Sequence, residues 1–255
     1  MTNALFVASR TGGDTNGRWG PVGRLESTGT GYRFCYTRGA QTLADFHALP
    51  GMPELDRVYE SDELFPVFMN RLLSASRPEY EAYLTWSGFD PNHPPDPIAI
   101  LGVTEGLRQT DSLELFPCPV PDSDGCFLTK FFLHGLRWLP SAIERVNRLV
   151  RGERLALMLD FQNPHDSNAV AVRTLDQADW RAIGYVPRYL AYDVRLLAHE
   201  CDPNFMDLRV VRVNNEAPLQ QRILCQLNAC WPDGFEPCAG EEFQPISESR
   251  VASES

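Results

Sequence analysis

The apolar positions run unevenly along the chain. Residues 4–9 hold an almost unbroken apolar run, Ala4-Leu5-Phe6-Val7-Ala8, which reads as a strand. Residues 10–18 are rich in Gly, Asp and Asn and read as a loop. Val22 to Leu25 forms a second short strand. Tyr32, Phe34 and Tyr36 alternate with Arg33 and Cys35, the period-two pattern of a third. Phe46 to Gly51 ends that unit in a turn. Leu64, Phe65, Phe68, Met69 and Leu72 recur near helical spacing, predicting a helix over 64–73 with Pro66 in its first turn. Ser76-Arg77-Pro78 opens a second helix with Ser76 as its cap, and 98–107 predicts a third. Leu113 to Phe116 is extended. Pro117, Pro119 and Pro121 then mark a boundary.

A different pattern starts at Cys126. Strands are predicted over 127–134, 155–161, 169–172, 182–186, 205–214 and 222–227, with a polar turn at 176–179. Pro140 to Val146 fits a short helix. Pro187 opens another, running to about His199. Many short strands and two short helices describe a small curled β domain. From Ala239 onward the chain is acidic, Ser-rich and poor in core residues, the composition of a flexible tail. The expected fold class is α+β. A small α+β domain (1–117) and a linker (118–125) precede a β-barrel domain with two short helices (126–238) and the tail (239–255).

Charge changes the picture more than size does. The 255 residues carry a net charge of -11, which excludes a chain coated with basic side chains to grip nucleic acid. By segment, residues 1–127 are net -8, residues 128–222 net +2 and residues 223–255 net -5. The middle segment has 13 basic residues, 12 of them Arg, so the global charge conceals a local exception. Nothing approaches the roughly 18–20 apolar residues of a membrane helix. The first residues lack a basic region followed by an apolar run, so no secretory signal is read there. Seven widely spaced cysteines do not make a secreted disulfide framework, and a cytoplasmic setting is expected.

Three segments, HGLRWLP (134–140), LDFQNPHDSNAVAVRT (159–174) and IGYVPRYLAYDV (183–194), make residues 127–225 resemble a HIRAN domain. That module is found in helicase-like DNA repair remodellers and as a stand-alone module in bacteria. The resemblance implies an OB-like modified barrel that binds single-stranded DNA and captures a free 3′ end. Residues 1–116 are similar to the N-terminal segment of HipA-type toxin kinases in VGRLE (22–26), YRFCY (32–36), LFPVFMNRLL (64–73) and TEGLRQTDSLELFP (104–117). The kinase body is missing: no Gly-rich phosphate loop with a following Lys is present. That likeness implies a shape and a docking role, not phosphotransfer.

Six residues are the candidate DNA contacts: Arg137, Trp138, Asn163, Asp166, Tyr185 and Arg188. An Arg beside a large aromatic can hold a phosphate and stack a base. The alternative for this pair is Trp138 as core filler and Arg137 paired with Glu144 or another acid. Leu139 stands where some HIRAN domains carry a second stacking ring. Asn163 and Asp166 fix a tight turn through their short polar side chains. The resemblance places both beside a 3′-terminal nucleotide, where a carboxylate can accept a hydrogen bond from a free 3′-OH and repel a phosphate. His165, in the same turn, is a weaker candidate. Tyr185 can stack or hydrogen-bond, and Arg188 opens a helix whose free N–H groups also suit phosphate. Of Tyr189 and Tyr192, at least one packs on the barrel. Arg145, Arg148, Arg151 and Arg154 recur at spacing three and either flank the groove or form a solvated face that balances the acidic first half, the second reading preferred.

Catalysis finds little support. No GxSxG, HExxH or Walker loop is present. Cys225, Cys230 and Cys238 lack the paired spacing of a zinc site. Asp160, Asp166 and Glu153 suggest a two-metal nuclease only weakly, since Lys130 is the one lysine. The leading expectation is therefore a non-enzymatic module, without cofactor or metal, for single-stranded DNA or DNA 3′ ends. A protein-interaction component docking a partner through residues 1–117 is the alternative, and a nuclease or hydrolase accessory a distant third.

Overall fold

The structure is a computed structural model and describes residues 4–11, 18–108, 111–176, 181–202 and 205–247. Most of the loop expected at 10–18, the turn at 177–179 and residues 248–255 lie outside the described residues. The architecture is α+β and divides into two compact units.

The first unit is a five-stranded antiparallel sheet. Its strands are β1 (Ala4–Thr11), β2 (Arg18–Ser27), β3 (Tyr32–Tyr36), β4 (Tyr59–Ser61) and β5 (Leu113–Phe116), ordered β4-β3-β2-β1-β5. β1 is buried on both faces from Leu5 to Ser9, which is why it reads as an unbroken apolar run rather than an alternation. The β1–β2 register shifts at Val7/Ala8, where Val22 adds a residue beside Pro21, which has no N–H to give to the ladder. The Tyr36 hydroxyl donates to the Met52 carbonyl (2.7 Å) and accepts from the Leu49 amide (2.7 Å), tying the 46–52 turn to β3. A helical turn, α1 (Gly39–Thr42), follows β3.

The helix expected over 64–73 is a single turn, α2 (Pro66–Met69). It stops because the Arg71 and Leu72 amides bond to carbonyls three residues back rather than four. The buried Arg71 guanidinium instead serves the carbonyls of Val67 and Gly106 and pairs with Asp111 (2.6 Å). The third predicted helix is α4 (Pro97–Thr104), capped by Asp96, whose carboxylate accepts from the Ile98 amide. It ends at Glu105 in left-handed backbone.

Two segments cross the division expected at 118–125. Residues 75–94, with α3 (Tyr80–Trp86), cluster with the second unit; there the Asn214 amide donates to the Trp86 carbonyl at 3.1 Å. Residues 238–247 return to the first unit. Thr37 bridges Pro245, the Ile246 amide bonds to the Tyr36 carbonyl (2.9 Å), and the Phe243 ring meets Phe6 edge-on at 5.0 Å. The segment read as the start of a flexible tail thus carries two apolar anchors, Phe243 and Ile246.

The second unit is a six-stranded antiparallel sheet. It comprises β6 (Cys126–Phe132), β7 (Arg154–Leu159), β8 (Val170–Thr174), β9 (Ala182–Tyr185), β10 (Asp207–Val213) and β11 (Ile223–Cys230), ordered β6-β11-β10-β7-β8-β9. The sheet curls until its two edges meet. His134, just after β6, bridges Tyr185 of β9 through two backbone hydrogen bonds of 2.9 Å. This is the OB-like modified barrel. At the seam, a Cβ on Gly184 would lie 3.0 Å from the Leu133 Cβ. Between β6 and β7 run two 3-10 turns, Leu136–Trp138 and Pro140–Ala142, and the short α5 (Ile143–Val146).

The long helix α6 (Arg188–Glu200) packs on β8 and buries Leu190, Val194 and Leu197. Cys201 at its end is joined to Cys230 by a disulfide. One bridge is not the dense framework excluded above, and a pair 29 residues apart leaves no spacing signature. Among the described residues, no helix is long and apolar enough to cross a membrane.

Candidate nucleic-acid interface

The residues singled out by sequence occupy the barrel seam and its surroundings. Gly135 follows the His134 bridge in left-handed backbone (φ 75°), and a Cβ there would stand 2.9 Å from Tyr185 Cδ2. Only glycine lets the chain pass so close to that ring. The 3-10 turn that follows presents Arg137 and Trp138. Trp138 is 70 % exposed, so it is no core filler. The Arg137 guanidinium lies 4.7 Å from its ring centroid, a cation–π pair open to solvent. Arg137 does not pair with Glu144, which is taken by Arg148.

Tyr185 is half-buried at the seam. Its hydroxyl donates to Asp160 Oδ2 at 3.1 Å, and the Asn163 side-chain amide donates to the same oxygen at 3.2 Å. Burial first, and then the bond to the Asp160 carboxylate and its charge, raise the Tyr185 pKa above 10, so the hydroxyl stays a donor. Asn163 Oδ1 accepts the amides of His165 (3.0 Å) and Asp166 (3.2 Å), the turn-fixing role its residue type suggested. Asp166 Oδ1 accepts the Asn168 amide (2.9 Å), while Oδ2 takes no hydrogen bond among the described residues. Gly135, Tyr185, Asp160, Asn163 and Asp166 are therefore linked by direct contacts, with Arg137 and Trp138 two and three residues after Gly135 in the chain. Arg188 is the first residue of α6, three positions after Tyr185, and is partly exposed.

The structure distributes the remaining candidates differently. Tyr189 is buried and Tyr192 is 57 % exposed, which resolves the choice between them. Arg145 pairs with Glu153, and Arg154 lies 3.3 Å from Asp207. Glu153 and Asp160 are thus engaged by neighbouring side chains. Cys230 is spent in its disulfide and Cys225 is fully buried, so the Cys225/Cys230/Cys238 set does not converge. No group of three His, Cys, Asp or Glu among the described residues could hold a metal ion.

Sequence reasoning missed three residues here. Asp160, by sequence a candidate metal ligand alone, joins Tyr185 to Asn163. Phe161, inside the strand expected over 155–161, lies in the turn beyond β7 and is 72 % exposed. The strand ends early because Asp160 turns its carboxylate onto the Gln162 amide (3.3 Å). The third, Arg195 on α6, places its guanidinium 5.2 Å from the Phe161 ring centroid and donates to the Ser167 carbonyl.

The HIRAN domain family matches residues 126–228, the segment that builds this barrel. The chain carries a HIRAN domain. One solved structure similar to the chain is the HIRAN domain of human HLTF, at 16 % identity and a TM-score of 0.30, covering 42 % of this chain and 81 % of that one. None of the curated proteins compared with the chain matches it. The HIRAN match begins where β6 begins and ends within β11.

Proposed function

We propose that this HIRAN domain holds the last nucleotides of a DNA single strand at a free 3′ end. Arg137, Trp138, Asn163, Asp166, Tyr185 and Arg188 form the contact set. One observation carries the proposal: an exposed Arg–Trp pair stands beside a hydrogen-bonded Tyr–Asp–Asn cluster at the seam. The open face of Trp138 offers a stacking surface that any base can use. Arg137 and Arg188 supply charge for the backbone. The unpaired Oδ2 of Asp166 can accept a hydrogen bond from a 3′-OH, and it repels a phosphate at the same position. End preference then has an electrostatic cause. With few arginines in reach, affinity is modest and falls with salt.

The test is a titration of a labelled oligonucleotide ending in 3′-OH against the same oligonucleotide ending in 3′-phosphate. Binding of the phosphate-ended strand is expected to be about tenfold weaker, the worth of one hydrogen bond to a charged group. Asp166→Ala should abolish that difference, and Arg137→Ala should weaken both strands. Equal binding of both ends by the native protein refutes end recognition. No binding of either at low salt refutes the DNA interface.

A further inference from the structure

Exposed aromatic rings are scattered over most proteins and by themselves mean little. Phe161 differs in its company. It adjoins Asp160, the acceptor of the Tyr185 hydroxyl, and it lies under a guanidinium, as Trp138 does. The two Arg–aromatic pairs, Arg137–Trp138 and Arg195–Phe161, are both tied to one hydrogen bond, Tyr185 to Asp160: Phe161 follows the acceptor in the chain, and the Trp138 amide bonds to the carbonyl of Gly135, which abuts the donor ring. Both rings are about 70 % exposed, at 70 % and 72 %.

The second pair continues onto α6. Arg188, Tyr192 and Arg195 stand at i, i+4 and i+7, along one face of the helix. The opposite face buries Leu190, Val194 and Leu197. Tyr192 is 57 % exposed and makes no hydrogen bond among the described residues. Arg195 spends one of its donors on the Ser167 carbonyl, which orients it and leaves the others available. A basic and aromatic stripe thus runs along α6 in a chain whose overall charge is -11. Alternating guanidinium and ring suits a single strand, which presents a phosphate and an unstacked base at each step.

We propose that Phe161, Tyr192 and Arg195 form a second stacking station for the same DNA strand, taking unpaired nucleotides upstream of the end held at Trp138 and Asp166. This rests on the end-binding reading above, and it sets the length of strand the domain covers. A terminal trimer fills the first station alone. A longer strand reaches the second.

Fluorescence polarisation with oligothymidylates of three and about twelve nucleotides, both ending in 3′-OH, separates the stations. Native protein should bind the longer strand about tenfold more tightly. Phe161→Ala should remove that advantage and leave trimer binding unchanged. Phe161→Trp should restore it, which excludes a loss through misfolding. Arg195→Ala should act like Phe161→Ala and flatten the salt dependence seen with the longer strand. Unaltered binding of the longer strand by Phe161→Ala overturns the second station while the end site stands. An equal loss on both lengths also overturns it, assigning Phe161 to the first station. Failure of native protein to bind either length removes both.

Discussion

Asp193→Asn is expected to stabilise the protein at alkaline pH, with the gain shrinking as the solution is acidified. Asp193 lies on α6 with 5 % of its surface exposed, and burial alone pushes its pKa from 3.8 up to about 7. The native state therefore keeps a proton that the unfolded chain releases. Stability from this group is fully present below about pH 4, where both states are protonated. It is lost as the pH rises towards 7, because the unfolded state binds fewer protons. Above pH 7 the native state must carry a buried carboxylate. The displacement corresponds to about 4 kcal/mol at about 1.4 kcal/mol per pH unit. Roughly 2.5 kcal/mol of it falls between pH 5 and pH 8. A neutral carboxamide of the same shape removes this dependence. Urea unfolding of both proteins at several pH values between 5 and 8 measures it. The two stability curves should diverge by roughly 2.5 kcal/mol across that range, with the variant the more stable at pH 8. Parallel curves would refute the claim that Asp193 is neutral in the native state.

Three further outcomes are expected. Trp138→Ala should raise the Kd for a 3′-OH strand about tenfold while changing unfolding free energy by less than about 0.5 kcal/mol, because its ring is exposed. Cys201→Ser should cost about 3 kcal/mol in urea unfolding without reductant, from the closed loop of 29 residues; reductant should bring the native protein to the same value. Truncation before Gly240 should cost about 2–4 kcal/mol in the first unit through loss of Phe243 and Ile246, read as a fall in Tm. No change in Tm would restore the flexible tail.

The strands and α6 were legible because their signals are local. Leu190, Val194 and Leu197 repeat at helical spacing, and Tyr32, Phe34 and Tyr36 alternate, whatever the rest of the chain does. Phe161 was misassigned by the same logic: an apolar residue after a strand reads as more strand, until Asp160 turns its carboxylate into the backbone. The Arg137–Trp138 pair was visible as adjacent residues. The Tyr185–Asp160 bond joins residues 25 apart and left no trace in spacing. The units were hidden for a similar reason. Prolines at 117–121 mark a turn, but the crossing of residues 75–94 and the return of Phe243 depend on distant partners. Arg71 shows a third limit: its buried guanidinium competes for carbonyls and shortens a helix that periodicity alone extends.

The return of residues 240–247 to β3 also orders events during synthesis. The last barrel strand, β11, ends at Cys230, so every strand of the barrel is made before Phe243 and Ile246. The sheet that begins at Ala4 still waits for Phe243 and Ile246. The strands made first thus gain their last partners after every strand of the barrel has been made. Until residues 244–246 are made, the Tyr36 carbonyl, Thr37 and the Arg38 amide lack the partners they hold in the folded chain, and that edge stands open.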